Sequence, residues 1–190
     1  MAENVLTEND KQTLLQLARK SIQNVVKGKD LPQIELSEYS SVLKANGACF
    51  VTLTRNGMLR GCIGSLEASQ PLVLDVIERA ASAAVQDYRF PPLSADEMES
   101  ISIEISVLTE PQKLEYENPE ALLKLVRPGV DGVVLQDGMR RATFLPQVWE
   151  KLPDADEFFS HLCSKMGAPA NVWKKQHLEV YTYQVIEFHE

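Results

Sequence analysis

The sequence predicts an α+β fold, an antiparallel β-sheet with helices packed on it and a smaller lobe. Two pairs of strand-like runs are joined by turn dipeptides: residues 48–54 and the run from Met58 across Asn56-Gly57, and residues 131–135 and 139–145 across Asp137-Gly138. Helical stretches with apolar residues three and four apart stand between and beyond them. Neither an internal repeat nor a βαβ alternation is present, so the strands read as antiparallel. The 190 residues suffice for one sizeable core, and the expectation is a single domain over 1–190, divisible at most into two subdomains.

Residues 7–27 read as a helix capped by Thr7, with Glu8 and Asp10 in its first turn, Leu14, Leu17, Ala18, Ile22, Val25 and Val26 at helical spacing, and Gly28 after it. Residues 30–44 read as loop. The first hairpin follows. Pro71 suits the first turn of a helix over 72–86, whose alanine-rich end (Ala80, Ala81, Ala83, Ala84) permits close approach to a neighbour. Ser94-Ala95-Asp96-Glu97 is a capping box, and residues 101–108 alternate as a strand with Glu104 on the polar face. Asn118-Pro119 opens a short helix to about Leu125, and the second hairpin is followed by a helical turn at 146–151. Asp154 caps a helix carrying Phe158, Phe159, His161 and Cys163, and residues 178–188 read as one long strand.

The hydrophobic fraction of 44% and charged fraction of 24% are those of an ordinary globular protein. A net charge of −8 argues against general nucleic-acid binding, which needs a basic face. The apolar runs are too short for a membrane span. The polar start Met1-Ala2-Glu3-Asn4 is unlike a secretory signal, and three cysteines suit reduced thiols in a cytoplasmic protein.

The most informative stretch is Leu59-Arg60-Gly61-Cys62-Ile63-Gly64. In a continuous strand Met58, Arg60, Cys62 and Gly64 share one face and Leu59, Gly61 and Ile63 the other. A guanidinium then stands beside a thiol flanked by two glycines. Glycines inside a strand mark a bulge or the close approach of a backbone or ligand. A neighbouring cation favours thiolate, the nucleophilic form of cysteine; a cysteine there can equally serve as a small packed hydrophobe. The second stretch is Asp87-Tyr88-Arg89-Phe90-Pro91-Pro92, a stiff loop holding a carboxylate, a phenol and a guanidinium. Asp87 is a candidate acid or base, or an orienting group for Arg60. With Cys62 and His161 it would complete a Cys-His-Asp set, although any chain this size offers such triples. His161 and Cys163 are two apart on a helix and diverge, which speaks against a shared metal, and no other ligand spacing is present. Neither a metal nor a cofactor is expected.

These stretches carry a resemblance. The Leu-Arg-Gly-Cys-Ile-Gly run, with Gly47-Ala48-Cys49-Phe50-Val51-Thr52-Leu53 before it and Asp87-Tyr88-Arg89-Phe90-Pro91-Pro92-Leu93 after it, is similar to the AMME-syndrome chromosomal-region protein family. Arg127-Pro128-Gly129-Val130-Asp131-Gly132, the run from Arg140 to Trp149, and His161-Leu162-Cys163 match in the same order, so the likeness spans nearly the whole chain. In bacteria and archaea the family includes the A component of the AmmeMemoRadiSam system. The resemblance implies Memo-type and radical-SAM proteins as partners, but no established reaction. Arg79 departs from it, standing where an asparagine is expected before Ala80.

Two functions stay open. In one, the protein is an enzyme component acting on a small anionic substrate in a cleft at the signature strand. Arg60, Arg89 and Arg141 hold the anion, Gly61 and Gly64 leave it room, and Cys62 acts as nucleophile or acid. In the other, it is a non-catalytic binding or regulatory module that presents a ligand to partner proteins.

Overall fold

The computed structural model describes residues 5–190; the four residues Met1-Ala2-Glu3-Asn4, read above as unlike a secretory signal, lie outside the described residues. The helices are α1 (Glu8–Val26), α2 (Ser41–Lys44), α3 (Leu72–Val85), α4 (Pro119–Leu125), α5 (Ala155–Lys165) and α6 (Val172–Lys175). The strands are β1 (Asn46–Arg55), β2 (Met58–Gly64), β3 (Gln70–Pro71), β4 (Ile101–Leu108), β5 (Gln112–Lys113), β6 (Gly132–Asp137), β7 (Arg140–Phe144), β8 (Glu179–Tyr183) and β9 (Val185–His189). The chain divides into two compact units. The first runs to Leu108 and regains Ile186–Glu190; the second is Thr109–Val185.

The first unit holds a five-stranded sheet in the order β2-β1-β4-β9, with β3 beside β1. The hairpin turn is the one its dipeptide demands, with Asn56 and Gly57 at φ of 52° and 75°. Thr7 caps α1 in a full capping box: its hydroxyl accepts from the Asp10 amide, and the Asp10 carboxylate accepts from the Thr7 amide. Leu14, Ala18 and Ile22 of α1 and Val73, Val76 and Ala80 of α3 are buried in one core with Val51 of β1 and Ile103 and Ile105 of β4. Each of the leucine, isoleucine and valine side chains contributes about 1.5–3 kcal/mol relative to exposure. The core surrounds one carboxylate, the fully buried Asp75. It accepts from the Cys49 amide and thiol, from Gln70 Nε2 and from Arg79 Nε, so its charge is paired.

The second unit holds a four-stranded sheet in the order β5-β8-β6-β7. Its core is aromatic: the Trp149 and Phe158 rings stack with centroids 3.6 Å apart, and Phe159 lies 5.4 Å from Trp173. The buried Asp131 carboxylate accepts from Arg127 through the amide, Nε and Nη2, which closes the loop before β6.

Two stretches differ from expectation. Residues 41–44, inside the stretch read as loop, form α2, which Ser40 caps by accepting from the Leu43 amide. The alternation of residues 178–188 predicts a single strand, and the structure divides it into β8 and β9, which belong to different sheets. The break is at Gln184. Its amide N–H donates to Thr109 Oγ1 at 2.8 Å, its carbonyl accepts from the Thr109 amide, and its side chain donates to Asp131 Oδ1. The apolar alternation runs straight through this position, so periodicity carries no sign of it.

Candidate functional site

The signature strand β2 is an edge strand, and each of its residues has a separate task. Pairing to β1 runs Val51 with Ile63, Thr52 with Cys62 and Leu53 with Gly61, then slips so that Thr54 faces Leu59. Arg60 is the extra residue of that irregularity, a β-bulge, and bulges re-aim side chains. The side chain of Arg60 goes to Glu97. Its Nε and Nη2 each donate at 2.9 Å to one carboxylate oxygen, a two-pronged pair between largely buried partners. Arg55 Nη1 and the Ser94 amide and hydroxyl complete the shell around Glu97. Thus the capping-box glutamate recognised in the sequence also fastens the hairpin. The guanidinium expected to hold an anion already holds a carboxylate of the fold.

This pairing has a measurable consequence. Hydrogen bonds from Arg60 first, then from Ser94, lower the Glu97 pKa from its ordinary 4.5 to about 2. A folded pKa below the unfolded one adds stability above about pH 4.5 that disappears as pH falls toward 2, because the unfolded state then binds the extra proton. Glu97→Ala is expected to destabilise the protein by about 3–5 kcal/mol at pH 7, since it strands a buried arginine. Urea titrations at pH 7 and pH 3 should show the gap between wild type and variant narrowing at the lower pH. An equal gap at both would remove the ion pair as its cause.

The two glycines serve packing. A Cβ on Gly61 would overlap the carbonyl oxygen of Ala83 in α3, with the carbonyl carbon at 3.2 Å. This is the close approach that the alanine-rich end of α3 allows. A Cβ on Gly64 would overlap the Phe50 ring and lie 2.5 Å from the Cys49 carbonyl oxygen. The neighbours that require glycine are therefore a helix backbone and an aromatic ring, where residue types alone leave open a ligand.

Cys62 is half-buried, and Thr52 Oγ1 donates to its Sγ at 3.3 Å. Thr52 also faces Glu104 across the next pairing, so Cys62, Thr52 and Glu104 form a row on the sheet face opposite the core residues Val51, Leu53 and Ile103. The Cys62 peptide group turns away from β1 and is held by the 87–90 loop. Its N–H donates to Asp87 Oδ2 at 2.8 Å, and its carbonyl accepts from Arg89 Nη2 at 3.2 Å. Together the two side chains take the place of one peptide of a neighbouring strand.

Asp87 is 4% exposed and also accepts from the Arg89 amide, Nε and Nη2. Arg89 first, and then the Cys62 and Arg89 amides, hold its carboxyl far below the usual range, against the opposing effect of burial. A carboxylate so fully occupied orients the strand and is a poor proton acceptor. The Arg89 side chain is 44% exposed, and among the described residues none accepts from its Nη1. Phe90 packs under both guanidinium groups, 6.0 Å from Arg60 and 5.6 Å from Arg89. Tyr88 between them is 94% exposed.

The structure thus brings together Arg60, Gly61, Cys62, Gly64, Asp87 and Arg89 in the first unit. Arg141, on β7, and the exposed His161, on α5, belong to the second unit. Residue-by-residue reading missed Thr52, Phe50, Phe90 and the long-range role of Glu97. The alternation of β1 could have flagged Thr52 as facing the same side as Cys62. Among the described residues no group of three or more His, Cys, Asp or Glu side chains is arranged to hold a metal ion. No helix among them is long and apolar enough to cross a membrane.

A family model described as AMMECR1 matches residues 15–188. A protein of Methanothermobacter thermautotrophicus is 38% identical over 186 residues, covering 97% of this chain and 96% of that protein. Protein MJ0810 of Methanocaldococcus jannaschii is 35% identical over 193 residues, covering 98% and 92% respectively. Among solved structures, the crystal structure of the uncharacterised protein PH0010 from Pyrococcus horikoshii superposes with a TM-score of 0.75 at 34% identity, covering 94% of this chain and 90% of that one.

Proposed function

Because the chain belongs to the AMMECR1 family, we propose that it works as a component of the AmmeMemoRadiSam system, presenting the Cys62 thiol to a small anionic substrate. One observation carries this reading. Arg60, Gly61, Ile63 and Gly64 are each accounted for by Glu97, the α3 backbone, the core and Phe50, whereas the Cys62 thiol is half-buried on the face opposite the core and accepts a hydrogen bond from the Thr52 hydroxyl. A half-buried thiol on a strand fixed from both edges is held in one place, which lowers the entropic cost of attack.

In this reading Cys62 Sγ adds to a carbonyl carbon of the substrate: the S–C bond forms as the C=O π pair moves onto oxygen, and the thiol proton passes through water to that oxygen. Arg89, anchored by Asp87, takes the substrate's carboxylate or phosphate with its exposed edge. Arg60 supports the strand. Memo-type and radical-SAM proteins supply or consume the modified compound. The occupied state of Asp87 favours a second reading, a binding module without its own acid–base group, in which Arg89 holds a ligand for those partners.

Reconstitution with the Memo-type and radical-SAM partners separates the two. Cys62→Ser should lower turnover by more than about a thousandfold if the thiol is the nucleophile, with Arg89→Gln raising the KM. Unchanged turnover with Cys62→Ser, together with a loss on Arg89→Gln, would leave the binding module in place of the enzyme.

A further inference from the structure

A groove of about 460 Å³ lies between the C-terminal end of α1 with the loop after it and the C-terminal half of α3. We propose that this groove binds a zwitterionic small molecule of the α-amino-acid class with an apolar side chain.

The groove has a charge pattern with both signs. Lys29 and Arg79 line it as cations, Asp30 and Glu78 as anions, and Ser82 and Gln86 as neutral hydrogen-bonding groups. Arg79 is set in advance: its Nε donates at 3.1 Å to the fully buried Asp75, which is itself fixed by Cys49 and Gln70. A guanidinium docked this way has already lost most of its rotamer freedom, so a ligand carboxylate does not have to order it. Among the described residues the side chains of Lys29 and Asp30 have no ion-pair partner, although both stand in the groove. α3 carries no basic residue in its last turn or at its cap, so the partial negative charge of that helix end adds to Asp30 and Glu78 in favouring an ammonium. Val25, Leu31, Ala81 and Val85 supply the apolar lining. A simple anion would meet the two carboxylates, and a simple cation would meet Lys29 and Arg79. A ligand carrying both charges meets opposite charge at each end, with Lys29 and Asp30 unpaired among the described residues and Arg79 and Glu78 already steadied by Asp75 and Gln70, and the volume is within the range of about 300–1,000 Å³ usual for small-molecule sites.

The test is titration of the full chain with L-leucine, N-acetyl-L-leucine and L-leucinamide, followed by amide proton–nitrogen correlation spectra. Leucine should give saturable shifts confined to the groove. Each blocked analogue should bind at least about tenfold more weakly, the loss of one charge-assisted contact worth about 1.4 kcal/mol. Lys29→Met and Asp30→Asn should each weaken leucine by a similar factor while leaving the thermal midpoint unchanged; Arg79 and Glu78 are kept because they serve Asp75 and Gln70. The absence of saturable groove shifts with leucine, or an acetylated analogue that binds as tightly as leucine, would overturn the proposal.

Discussion

Iodoacetamide is expected to label Cys62 in the folded protein at least about a thousandfold faster than Cys49 or Cys163. The other two thiols are fully buried. Burial first, and then the charge of Asp75, push the Cys49 thiol well above its ordinary value, and burial raises Cys163 as well. Either can react only after an opening of the core. If that opening costs about 5 kcal/mol, the reactive population falls by a factor of roughly 10³–10⁴. Cys62 needs no such opening, because it is half-buried on an edge strand. Peptide mass spectrometry over a time course measures all three positions in one sample. Labelling of Cys62 that waits for denaturant would mean that Thr52 and its neighbours seal the sulfur, and the nucleophile reading would end there.

Gly61→Ala is expected to destabilise the first unit by about 3 kcal/mol. The new methyl group would be driven into the Ala83 carbonyl of α3. Neither side can give way cheaply. The strand is held by its ladder to β1 and by Asp87 at the next residue, and α3 is anchored in the core through Val73, Val76 and Ala80. Gly64→Ala is milder in kind, because part of what it meets is the Phe50 side chain, which can rotate. Urea unfolding of both variants, with the m-value monitored, decides the matter. A Gly61→Ala loss below about 1 kcal/mol, at the level of an ordinary surface change, would show that the helix yields, and the glycine would then return to the list of residues that make room for a ligand.

Much of the local structure was legible in the residues. The cap at Thr7, the capping box at Ser94, the Asn56-Gly57 turn, the strand β4 and the small side chains along α3 are all present as read. The stretches around Cys62 and Asp87 stood out as motifs, and the structure joins them by hydrogen bonds. The contacts that give them meaning were out of reach. The Arg60–Glu97 pair spans 37 residues, the Cys62–Asp87 bond spans 25, and Gly61 meets α3 more than a helix turn beyond any local neighbour. Even the face of Arg60 depended on a bulge that no alternation pattern announces.

The sequence by itself determined the α+β class, the longer helices and the two hairpins in their order, and the family. Those follow from propensities, turn chemistry and periodicity, which act over a few residues. Only the tertiary structure decided that Arg60 and Asp87 are bound within the fold, that both glycines answer to packing, and that residues 178–188 are shared between two sheets. Such outcomes are set by which distant groups reach hydrogen-bonding or van der Waals distance, and one-dimensional spacing does not encode that distance.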